Sequence, residues 1–115
     1  MPKKGKAGLE GLTQMTVDAL EELKAKNIVC LDVRELTDVM DLMVVASGTS
    51  RRHVSALADN LVEQAKANDM RPLGVEGDAV SGWILVDLGD ATVHLMSEEM
   101  REFYQLEKLW SVSPA

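Results

Sequence analysis

A chain of 115 residues, 46% of them hydrophobic, has the length of one domain and enough apolar material to bury a core. Acidic residues number 19 against 12 basic ones, and Lys3, Lys4 and Lys6 precede the first acid, so the net charge of −7 becomes −10 from Ala7 onward. Binding nucleic acid through its phosphates needs clustered Lys and Arg, so this balance argues against direct nucleic-acid readout and suits a basic protein partner.

The first eight residues, MPKKGKAG, have little to bury and read as a flexible tail. Their basic residues are not followed by the continuous apolar core of a signal peptide, and no run later in the chain approaches membrane-spanning length. From Leu9, the positions Leu12, Met15, Ala19, Leu20 and Leu23 follow helical spacing with charged residues between them, which predicts an amphipathic helix ending near Asn27. Ile28 to Val33 is short, β-branched and apolar, a strand by the same logic. It contains Cys30, the only cysteine, which excludes an internal disulfide and a multi-cysteine metal site. In that apolar run it reads as a small buried residue with an inert thiol, in a cytosolic protein.

RELTDVMD forms a polar connection to a second buried strand, Leu42 to Ser47. In SGTSRRH, Gly48 permits a sharp turn and Thr49 or Ser50 can cap a helix whose apolar face is Val54, Leu57, Ala58, Leu61 and Ala65, running to about Asn68. Next come a brief apolar piece, LGV, and a loop, EGDAVSG. WILVDLGDATVHLM then reads as a hairpin turning at Gly89 and Asp90. Ser97 caps a last helix, with Glu98 and Glu99 at its positive end, and a segment through Trp110 and a short tail, 111–115, finish the chain. The order of elements predicts an α/β single domain over 9–110, a mixed five-stranded sheet flanked by helices.

A two-residue turn sets Leu85 opposite His94 and Trp83 opposite Met96. Ile84, Val86, Leu88, Ala91, Val93 and Leu95 then form an aliphatic core face, and Trp83, Leu85, Asp87, Thr92, His94 and Met96 form the other. Three readings of that second face stand. Asp87 and His94, diagonal neighbours, satisfy one another or neighbouring backbone beneath the last helix; or the face is a partner interface, in which Trp and Met are enriched; or the pair is catalytic.

The catalytic signals are thin. SGTS could aim backbone N–H groups at a phosphate, but no Gly-Lys-Ser/Thr follows and plain helix capping explains it. Asp32 and Asp87 lack a second carboxylate two positions on, as metal-assisted phosphoryl transfer would require, and His53 and His94 share no metal-binding motif. No metal or cofactor is expected.

The blocks GTSRRHVSALADNL, PLGVEG, GWILVDLGDATVHLM and REFYQLEKLW together resemble the ribosomal silencing factor family, RsfS or Iojap-like, from about Leu9 to Trp110. The resemblance implies a nucleotidyltransferase-like α/β domain, frequently a cytoplasmic homodimer, without enzymatic activity. It implies binding to the large ribosomal subunit through its protein numbered fourteen, which sterically blocks the small subunit and represses translation when nutrients are short. By the same resemblance, interface roles fall on Trp83, Asp87, His94 and Met96, and further on Leu85, Arg101, Tyr104 and Glu107. Trp83 would be the anchor and Asp87 the carboxylate for a partner Lys or Arg. Two bland alternatives stay open: Arg101 pairing with Glu98 within its helix, and Tyr104, Leu106, Leu109 and Trp110 packing on the core. The competing function is a nucleotide-binding or nucleotidyltransferase-type enzyme using the SGTS turn.

Overall fold

The structure, a computed structural model, describes residues 6–105 and 108. Its elements run α1 (Lys6–Glu22), β1 (Lys26–Asp32), β2 (Leu42–Gly48), α2 (Arg51–Ala67), β3 (Gly74–Asp78), β4 (Trp83–Asp87), β5 (Ala91–Ser97) and α3 (Glu98–Tyr104). The order matches the one expected. One sheet, ordered β1-β2-β5-β4-β3, holds all five strands, and it is mixed because β2 and β5 pair in parallel while the other pairs are antiparallel.

Two boundaries differ from the sequence reading. Helix α1 starts at Lys6, three residues before Leu9; Lys6 and Ala7 are good helix formers, and the helix runs on through Gly8. It stops at Glu22 rather than near Asn27. Lys24 turns left-handed at φ 62°, and the amides of Lys24 and Ala25 donate to Glu21 O and Leu20 O, both at 3.0 Å. That pattern satisfies the free carbonyls of a helix end and turns the chain into β1.

The sheet has two unlike faces. Under α1 and α2, Leu42, Val44, Ala46, Ile84, Val86, Leu88, Ala91, Val93 and Leu95 meet Leu12, Met15, Ala19, Leu20, Val54, Leu57, Leu61 and Ala65 in one continuous core. The aliphatic hairpin face is therefore the core face, as its alternation requires. A smaller cluster, Val33, Met40, Met43, Val45 and Met96, lies on the opposite face, with Leu31, Trp83 and Met100 packed against it. Among the described residues only α3 and the β1–β2 connection cover that face, and they leave the middle of the hairpin open.

Cys30 is exposed, contrary to expectation. Strand β1 is an edge strand whose only partner among the described residues is β2, so an apolar sequence there does not ensure a cover on both faces. Partial burial raises the thiol pKa, which keeps the cysteine protonated near neutral pH. Strand β3 reaches Asp78, so the first residues of EGDAVSG belong to a strand. It too is an edge, exposed along its whole length, and carries no alternation for a sequence to display.

Helix α2 begins as expected. Ser50 is its cap, and its Oγ accepts from His53 N at 3.0 Å. Ser50→Ala is expected to lower stability by about 1 kcal/mol in urea unfolding, the usual cost of an N-cap oxygen.

Candidate functional site

Strand alternation brings Trp83 and Leu85 of β4 to the open face, and register places His94 of β5 beside Leu85 and Glu76 of β3 on its other side. Met100 of α3 closes one end, and Gly77 and Ser81 form the rim. Together these residues line a groove of about 310 Å³. Gly77 at φ 87° is required there: a Cβ would stand 2.2 Å from the carbonyl oxygen of Trp83, so the strand pair at the rim admits no side chain.

Trp83 and His94 form the floor. The indole Nε1 donates to His94 Nδ1 at 3.1 Å, with ring centroids 5.8 Å apart and planes inclined by 52°. An acceptor Nδ1 places the proton of the neutral imidazole on Nε2. Burial pushes the His94 pKa down to about 4, so the ring is uncharged near neutral pH. His94 is thus a polar support for the tryptophan.

Several expectations about this face need correction. Asp87 is satisfied by neighbouring backbone, one of the two forms of the bland reading, and not by His94: its Oδ1 accepts from Gly89 N at 2.9 Å, tying the hairpin turn, while His94 has Trp83 as partner. Met96 is completely buried and belongs to the smaller cluster. It supports the face from beneath and offers nothing to a partner. Arg101 is also buried; its Nη1 donates to Asn27 O and, at 3.0 Å, to Ser47 Oγ. A break in the β1–β2 pairing next to Asn27 frees that carbonyl, and the guanidinium locks α3 onto the sheet end. Of the remaining expectations, the Tyr104 side chain, Glu107, Leu106, Leu109 and Trp110 lie outside the described residues.

Leu85 and Thr92 are half-buried on the open face, as the alternation predicts. Sequence reasoning missed Glu76, Gly77, Ser81 and Met100 as lining residues. For Glu76 a signal existed: extending β3 by one residue beyond LGV places it opposite Leu85.

The enzymatic alternatives gain nothing. The Thr49 amide donates to His53 Nδ1 at 2.8 Å, and the His53 Nε2 proton goes to Leu23 O at 2.6 Å, so the SGTS turn is organised by its own helix and braced against α1. Asp32 is held by Arg34, whose hydrogen bonds lower its carboxyl below the usual range. Among the described residues no three His, Cys, Asp or Glu side chains gather as a metal site, and no helix is long and apolar enough to cross a membrane.

Comparison with known proteins agrees with this geometry. Residues 7–115 match the family model described as "Ribosomal silencing factor during starvation". The ribosomal silencing factor RsfS of Haemophilus influenzae is 45% identical over 100 residues, covering 87% of this chain and 98% of that protein. A Chromobacterium violaceum crystal structure superposes with a TM-score of 0.86 at 36% identity, covering 92% of this chain and 89% of that one. A second, from Bacillus halodurans, gives 0.80 at 31% identity, covering 92% and 99%. This chain therefore belongs to the ribosomal silencing factor family, RsfS or Iojap, regulators of the ribosome that act by binding and not by catalysis.

Proposed function

We propose that the chain binds the large ribosomal subunit through its protein numbered fourteen, with the Trp83 groove as the docking surface, and so blocks the small subunit sterically. Repression of translation under nutrient limitation is the consequence. The observation that carries this reading is a half-buried tryptophan, pinned by His94 in an apolar groove, on the sheet face that no long helix covers among the described residues. A rigid, half-buried aromatic is the usual anchor of an interface. The charge of −10 outside the N-terminal lysines supports a basic partner, since opposite potentials speed encounter and fix orientation.

In this reading Trp83 and Leu85 touch the partner, Asp87 and Thr92 mark the far end of the surface, and His94 acts chiefly from below. A cytoplasmic setting and a homodimer of the free protein belong to the same proposal.

The test is sedimentation of the purified full chain with separated ribosomal subunits. It is expected to travel with the large subunit and not the small one, and to prevent the two from joining when added first. A chain that stays unbound at low salt with the large subunit would overturn the proposal.

A further inference from the structure

Among the described residues, one acidic side chain lines the groove. Trp83, Leu85, Met100 and the neutral His94 make its floor and walls, Gly77 and Ser81 its rim, and Glu76 supplies the only carboxylate among the described residues. Register sets Glu76 directly beside Leu85, and alternation puts it on the Trp83 face. The residue is exposed.

Neighbouring carboxylates are already engaged. Asp87 Oδ1 holds the hairpin turn through Gly89 N, and Asp78 Oδ1 holds the β3–β4 turn through Ser81 N, each at 2.9 Å. The carboxylate of Glu76 takes no hydrogen bond or ion pair among the described residues.

We propose that Glu76 is the specificity-determining carboxylate of the groove, receiving a lysine or arginine of a basic protein partner whose aliphatic stem lies along Trp83 and Leu85. The inference rests on the groove being the docking surface and names what that surface selects. A long basic side chain matches it in both parts: its methylene stem covers apolar walls while its charged head remains at the polar rim. The indole face attracts the cation as well. Since His94 is uncharged near neutral pH, nothing in the floor repels the incoming charge. An exposed ion pair in water contributes little, but a partner covering the groove excludes water and strengthens this one. Asp87, with one oxygen already committed to the turn, is the poorer candidate for the role expected of it.

Four full-length variants test the proposal by quantitative co-sedimentation with purified large ribosomal subunits at two salt concentrations: Glu76→Gln, Glu76→Lys, Trp83→Ala and, as a control on α2, Glu63→Gln. With thermal unfolding unchanged for the Glu76 variants, Glu76→Gln is expected to weaken binding about fivefold with a shallower salt dependence, and Glu76→Lys about 20-fold, Glu63→Gln having no effect. Wild-type affinity for both Glu76 variants alongside a weakened Trp83→Ala would overturn the role of Glu76 and leave the groove standing. An equal loss in Glu63→Gln would also overturn it, by reducing the effect to general charge. Full affinity in Trp83→Ala would remove the groove and this inference together.

Discussion

Trp83→Ala is expected to leave a folded protein whose affinity for the large ribosomal subunit falls about 100-fold, close to 3 kcal/mol. The loss has two sources. The substitution removes the largest apolar surface in the groove, and it deprives His94 Nδ1 of its donor, so the floor admits water. Folding survives because the main core lies on the opposite face and holds no atom of Trp83. A decrease of about 1 to 3 kcal/mol in unfolding free energy is expected from the part of the ring packed on the smaller cluster. Trp83→Phe separates the sources: it keeps most of the apolar area, loses the hydrogen bond, and should fall between the two. Binding by co-sedimentation and stability by urea unfolding of the same samples check both, and undiminished binding in a folded Trp83→Ala would exclude this face as the anchor.

Where local chemistry and tertiary cover agreed, the sequence was readable. The hairpin register follows from a Gly-Asp turn between two alternating runs, and Trp83↔Met96 and Leu85↔His94 pair as that turn demands. Ser50 and Ser97 cap α2 and α3, because a serine before an apolar-periodic run has few other roles. The errors share one physical origin, which is that a residue's own strand does not state what lies over it. Cys30 looked buried because its strand is apolar, yet that strand is an edge. Met96 looked available because it shares a face with Trp83, yet it is completely buried in the smaller cluster.

The site was legible in outline and misassigned in detail for a related reason. Asp87 and His94 were candidates for each other on strand geometry alone, but each has a closer partner, a backbone amide two residues on and an indole on the same face. Short local hydrogen bonds of Asp with its own turn are common and compete well with diagonal cross-strand contacts. Glu76 was hidden in a Gly-rich, charged stretch that resembles a loop, as edge strands protected from aggregation often do. Arg101 reaches across 74 positions in sequence to Asn27, a separation that no local pattern reports.

Acidification is expected to destabilise the protein through His94, and the direction follows from its lowered pKa. In the unfolded chain the imidazole titrates near 6.5, and in the fold it remains neutral down to about 4. Between those values the unfolded state binds the extra proton and the native state does not, so stability rises with pH across this window and is lost as pH falls through it. The full difference corresponds to about 3 kcal/mol, of which most is gone by pH 4.5. The structural cause is specific: a proton on Nδ1 would remove the acceptor for Trp83 Nε1 and place a charge among Leu85, Met100 and the indole. Among the described residues Glu76 is the one carboxylate lining the groove, and its exposure to water limits what it can do for that charge. Other carboxylates also titrate at acid pH, so the comparison must be with His94→Gln, which offers the indole an acceptor but does not ionise. Urea unfolding at pH 7 and pH 4.5 should show the wild type losing about 2 to 3 kcal/mol more than His94→Gln over that interval. Equal losses would mean that His94 is not held neutral by the fold, and that the floor of the groove is wetter than its packing indicates.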